Sequence, residues 1–119
     1  MATEWSDSIV VAELEDEPAL SEELSSLFER ANTAAAGKVP HLVLNFSNVT
    51  YVSSSNLAQL LRLRKCIAEA GRQIKICAVS DDVWSVLLVT GLDKIFRFAP
   101  DLMTALAGLQ LEEERSRKG

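Results

Sequence analysis

Ser53, Ser54, Ser55 and Asn56 stand in a row directly before Leu57, Leu60, Leu63 and Ile67, so hydroxyl and amide side chains crowd the start of an amphipathic helix. Two kinds of chemistry suit that placement. The first is capping, in which a side-chain oxygen accepts a hydrogen bond from an otherwise unpaired amide of the first helical turn, worth on the order of 1 kcal/mol. The second is modification: a phosphoserine there adds about −1.5 to −2 charges, which the positive end of the helix dipole tolerates. Capping needs only one of these residues, which leaves hydroxyls to spare.

Other reactive residue types are scarce or badly placed. A hydrolytic triad needs a histidine base beside its nucleophile, yet the single histidine, His41, opens a strand at the end opposite the serine run. No G-x-S-x-G elbow or phosphate-cradling glycine loop is present, so catalysis is not expected and no cofactor is implied. Cys66 and Cys77 lie in separate elements without ligand spacing, and Glu13, Glu15, Asp16 and Glu17 read as a solvated acidic turn, so no metal site is expected. Two N-x-S/T sequons at Asn45 and Asn48 carry no weight in a chain without an export signal.

The elements that must position the serine run follow from hydrophobic periodicity. Four short apolar stretches (Ile9 to Leu14, Leu42 to Phe46, Ile74 to Val79, Ile95 to Phe98) each lead through a turn into a segment of helical spacing, the pattern of successive βα units. Leu20, Leu24, Leu27, Phe28 and Ala31 make the first apolar stripe, and Leu57, Leu60, Leu63 and Ile67 the second, which Gly71 ends. Arg64 falls inside that second arc and must snorkel. Ser80 is the expected N-cap of a third helix closed by Gly91, with Val83, Leu87 and Thr90 facing inward; a fourth follows Pro100 and Asp101, burying Leu102, Ala105, Leu106 and Leu109. Right-handed crossovers start every helix from one edge of the sheet, beyond the strand C-termini, and the serine run lies on it. The fold class is therefore α/β, a single domain over residues 1–119 of about four βα units, with a mainly parallel sheet covered by helices and flexible tails at 1–7 and 112–119.

Composition narrows the function classes. A hydrophobic share of 48% and a charged share of 24% are those of an ordinary globular domain, and no stretch approaches a membrane span. The net charge of −5, with nine of seventeen acidic residues before Arg30, argues against binding nucleic acid; the basic cluster Arg62, Arg64, Lys65 and Arg72 reads as a solvated helix face. Met1 to Asp7 lacks the basic start and apolar run of a secretory signal, so a cytoplasmic location is expected.

Three ordered motifs, LVLNFSNVTYV, then SSSNLAQLLRLRK ending in Ala70-Gly71, then VSDDVWSVLLVTGLDKIF, resemble the STAS domain family, which includes bacterial anti-sigma factor antagonists. The likeness spans Leu42 to Ala105. Where family members read Asp-Ser-Ser/Thr-Gly-Leu, this chain reads Ser53-Ser54-Ser55-Asn56-Leu57, which places the phosphate-accepting serine of the family at Ser54. The resemblance implies a regulatory, non-enzymatic phosphoprotein of bacterial signalling and transcription regulation. It would dock a kinase-like anti-sigma factor or the serine kinase of its pathway through Ser53, Ser55, Asn56, Gln59, Arg62 and Lys65, and release it once Ser54 is phosphorylated. Ser53 and Asn45 stand where the family usually has aspartate, and Asn56 where it has glycine. The alternative is an unphosphorylated STAS scaffold in a larger sensor or transporter assembly. An uncovered sheet edge would offer a route to a homodimer.

Overall fold

The computed structural model describes residues 2–118, with side chains over 2–113. Strands β1 (Ala2–Glu4), β2 (Ile9–Glu15), β3 (His41–Asn48), β4 (Ile74–Cys77) and β5 (Arg97–Ala99) form one sheet in the order β1-β2-β3-β4-β5. β1 runs antiparallel to β2, and the other neighbours are parallel. Helices α1 (Ala19–Thr33), α2 (Ser54–Glu69), α3 (Asp81–Thr90) and α4 (Leu102–Lys118) each follow the C-terminal end of a strand, as the βα rhythm requires.

Strand alternation assigns the helices to faces. Val10, Ala12, Leu14, Leu42, Leu44, Phe46, Ile74 and Ile76 point to one side and pack with Leu20, Leu24 and Leu27 of α1, Leu60, Leu63 and Ile67 of α2, and Val83 and Leu87 of α3. Ile9, Val11, Val43 and Cys77 point to the other, where Ala105, Leu106 and Leu109 of α4 cover them. Strands buried on both faces read as continuous apolar runs, which is why Ile9 to Ala12 and Leu42 to Leu44 show no polar alternation. Each fully buried leucine adds about 1.5–3 kcal/mol, so the α1–α3 layer dominates the core.

Several helix ends match the sequence reading. Ser80 caps α3 by accepting from Val83 N–H (3.3 Å), and Gly91 closes it at φ 77°. After α2, Gly71 N–H donates to Ala68 O (2.9 Å) and Arg72 N–H to Ile67 O (3.0 Å), a Schellman pair that Gly71 permits at φ 76°. Arg64 lies over the α2 arc with its Nε on Ile95 O (3.1 Å).

Other expectations need correction. Ala2–Glu4, expected within a polar tail, adds a fifth strand, and Arg30 of α1 reaches Glu4 at 2.7 Å. α4, expected to fray from residue 112, continues as helix to Lys118, with Glu113 accepting from Ser8 Oγ (2.6 Å) and Glu112 facing Lys75 (3.7 Å); Met1 and Gly119 lie outside the described residues. β4 stops at Cys77, because Ala78 turns left-handed at φ 57°. β5 begins only at Arg97, since Leu92–Lys94 form a short 3-10 turn and leave Ile95 exposed. Thr90 is exposed and bonds back to Val86 O (2.9 Å) instead of facing inward. The two edge strands, β1 and β5, are only three residues long, a length that limits edge pairing.

Candidate functional site

The C-terminal edge of the sheet gathers the β2–α1 turn, the β3–α2 loop and the first turn of α2. In the loop, Val49 and Val52 are buried anchors, which turns Thr50 and Tyr51 outward. Ser53 is then the N-cap of α2, in extended conformation. Its Oγ accepts from Asn56 N–H (3.2 Å), while Asn56 Oδ1 accepts from Ser53 N–H (2.9 Å). This is a reciprocal capping box with asparagine in the place usually held by Glu or Gln.

Asn56, expected on the docking surface, is fully buried at 0% exposure. Its Nδ2 reaches Ser21 Oγ (3.3 Å), Glu17 Oε2 (3.4 Å) and Gln59 Oε1 (3.3 Å). Gln59 in turn donates to Ser21 O (3.1 Å) and Ser25 Oγ (3.0 Å) of α1, so it too is turned inward. Both residues staple α2 to α1. The consequence falls on their neighbours: with the cap carried by Ser53 and Asn56, the exposed Ser54 and Ser55 hydroxyls make no hydrogen bond among the described residues.

The acidic turn before α1 is structured and not merely solvated. Asp16 accepts from Thr50 N–H (2.8 Å), Thr50 Oγ1 (2.7 Å) and Tyr51 N–H (3.3 Å), holding the β3–α2 loop against the β2–α1 turn. Glu17 accepts from the hydroxyl of Ser21, from Ser21 N–H (2.6 Å) and from Asn56. These bonds, led by the Thr50 hydroxyl for Asp16 and the Ser21 hydroxyl for Glu17, hold both carboxyls below their ordinary values and keep them ionised. Asp16, Glu17, Ser21 and Thr50 were missed by the sequence reading. Their only sequence signal is an acid at a strand-to-helix turn, which is common.

Outward from this framework, α2 presents Ser54, Ser55, Ala58, Leu61, Arg62 and Lys65 on one exposed stripe. Tyr51, 66% exposed, stands just before it, and Leu61 is 40% exposed. Arg62 also borders a groove of about 440 Å³ between α1 and α2, walled by Leu24, Phe28 and Asn32. Tyr51 and Leu61 add apolar area to a surface that the sequence reading described as polar and basic.

Among the described residues no histidine stands beside the serine run. His41 lies at the opposite end of the sheet, buried, its Nδ1 accepting from Gln73 N–H (2.9 Å) and its Nε2 3.6 Å from Glu113. Burial, then the charge of Arg72, pushes its pKa down against the opposing pull of Glu113 and Glu112. Burial pushes the Cys77 thiol up to about 11, which leaves it unreactive. Asn45 sits on the α4 side of the sheet with Nδ2 on Glu13 Oε2 (3.0 Å), away from the face that α2 covers. Among the described residues no group of His, Cys, Asp or Glu is arranged to hold a metal, and no helix is long and apolar enough to cross a membrane.

The STAS domain family model matches residues 5–105. An anti-sigma F factor antagonist from Paenibacillus polymyxa is 31% identical over 71 residues, which make up 60% of this chain and 61% of that relative, so the match spans about three fifths of its length. An anti-sigma-factor antagonist (STAS) domain protein from Planctomyces limnophilus has a similar structure, with a TM-score of 0.77 at 20% identity over 92% of this chain and 97% of the other. The phosphorylated form of SpoIIAA, a Bacillus cell fate determinant, gives a TM-score of 0.64 at 16% identity over 100% and 98%. At such identities the two structures establish a shared fold.

Proposed function

The chain belongs to the STAS domain family, and from that premise we propose that it is a regulatory protein-binding module of the anti-sigma factor antagonist type, switched at Ser54. One observation carries the reading: Ser54 is an exposed hydroxyl in the first turn of α2, left unbonded because Ser53 and Asn56 already form the cap. A residue with no structural task at a helix start is free to be modified without loss of the fold.

In the unmodified state Tyr51, Ser55, Leu61, Arg62 and Lys65 form the docking stripe for a kinase-like anti-sigma factor. Tyr51 and Leu61 supply the apolar contact and the two cations steer an acidic partner. Asn56 and Gln59 contribute by fixing the angle of α2 on α1, not by contact. Phosphate on Ser54 adds about −1.5 to −2 charges to the exposed start of α2, and a partner surface evolved for a neutral hydroxyl then meets a new charge and a desolvation cost. The helix dipole offsets that charge within the domain, so release of the partner is selective. The acidic side chains bonded to this loop and helix start belong to the β2–α1 turn, Asp16 on Thr50 and Tyr51 and Glu17 on Asn56, whereas residues 53 and 45 are uncharged.

Incubation with ATP and the serine kinases of the native cell, followed by mass spectrometry, tests the switch; a single phosphate on Ser54 is expected. Ser54→Asp should weaken capture of the anti-sigma factor about tenfold or more while Ser54→Ala keeps it. Equal capture by the two variants would sink the switch. An unphosphorylated Ser54 together with recovery of a transporter or multi-subunit sensor would support the scaffold reading in its place.

A further inference from the structure

At the other end of the sheet, where β4 and β5 begin, we propose a binding site for a small phosphate-class anion, held by Arg64, Arg72 and Arg97. The three arginines line one cavity of about 230 Å³ together with Ala68, Gln73, Ile74 and Ile95, and no carboxylate is in its wall. Such a concentration of one sign runs against the charge of the chain, which is −5 overall.

Two of the guanidiniums are already fixed. Arg64 donates its Nε to Ile95 O (3.1 Å), and Arg72 donates its Nε to Val39 O (2.8 Å) and one Nη to Gly37 O (3.3 Å). Among the described residues neither pairs with a carboxylate, and the one acid near Arg97 is Glu112, 3.6 Å away and shared with Lys75 at 3.7 Å. A structural role explains the bonds to carbonyls. It leaves unexplained both the remaining Nη groups and the third arginine in the same wall.

Pre-anchored guanidiniums lose little side-chain entropy on binding, and their planar forks match the oxygens of a phosphate. Gln73 adds a side-chain amide to the wall; its Oε1 is buried without a partner among the described residues, and a half-turn of the amide exchanges that acceptor for a donor. Size and sign confine the ligand. The cavity holds about eight waters at roughly 30 Å³ each, room for phosphate or diphosphate. The adjoining cavity beyond Arg72 and Gln73 is lined by Asp7, Glu112 and Glu113, which repel an anion.

The test is a titration of sodium pyrophosphate into the full chain at constant ionic strength, followed through backbone amide NMR shifts. Saturable shifts are expected at Arg64, Ala68, Ile95 and Arg97, with affinity about tenfold weaker in Arg64→Gln and in Arg97→Gln. Arg30→Gln, on α1 and facing Glu4, should leave the pyrophosphate affinity unchanged. Arg97 is exposed, so its variant carries the test if Arg64→Gln disturbs the fold. Absent saturation, equal shifts at Arg62 and Lys65, equal affinity for acetate, or indifference to both variants would each overturn the site. None of these outcomes depends on Ser54 or its partner.

Discussion

Asn56 is the residue on which the site turns. It completes the cap of α2, satisfies Glu17 and Ser21 across the helix pair, and has no exposed surface of its own. Asn56→Ala therefore removes the reciprocal half of a capping box and strands buried donors, and urea unfolding should show a loss of about 1–3 kcal/mol. Ser54→Ala, with no bond to lose, should stay within about 0.5 kcal/mol of the parent protein. Asp16 acts on the loop: its pKa is lowered in the folded state by the Thr50 bonds, so its contribution is complete above the ordinary value of 3.8 and is lost as pH falls through the lower folded value. Amide exchange at Thr50 and Tyr51 should accelerate in Asp16→Asn at neutral pH, reproducing what acid does to the parent.

At the scale of elements, α2 divides into a buried face, an inward polar staple and an exposed stripe. The exposed stripe is the part that can change without unfolding. Tyr51→Ala and Leu61→Ser should lower partner capture about tenfold or more, as loss of an apolar anchor does, with the thermal midpoint nearly unchanged. A fall in midpoint equal to that of Asn56→Ala would place both side chains in the fold instead. The end of β4 offers a second test. Ala78 holds φ at 57°, a conformation that costs an L-residue roughly 1–2 kcal/mol, so Ala78→Gly should not destabilise the domain despite the usual entropic cost of glycine.

For the whole molecule, the two sheet faces carry different duties. Three helices cover the face that supports α2, whereas α4 alone closes the other and is tied down by Ser8 and His41 to Glu113 and by Lys75 and Arg97 to Glu112. His41 is held neutral in the fold, chiefly by burial, and its Nδ1 already accepts a hydrogen bond. The unfolded chain consequently binds a proton more readily: stability is level above the ordinary value of 6.5, declines as pH falls below it, and levels again under the folded value. Urea midpoints measured between pH 7.5 and 5.5, values of about one unit either side of an ordinary histidine, should fall in the parent and stay flat in His41→Gln. Asp16, Glu17 and Asp101, all lowered, respond only at more acid pH.

What the sequence determined by itself was local. The α1 and α2 stripes, the Ser80 cap, the Gly71 and Gly91 helix ends and the position of Ser54 at a helix start are set by residues within about one helical turn of each other, and periodicity and capping chemistry read them directly. The motif resemblance added the family. Tertiary structure alone decided which serine caps and which is free, because Asn56 is drawn inward by Glu17 and Ser21, 39 and 35 residues away. It likewise decided that α4 covers the second face, that Ala2–Glu4 joins the sheet, and that Arg64, Arg72 and Arg97 share one cavity. Side chains distant in sequence meet only once the strands are in register, and no spacing along the chain records that meeting.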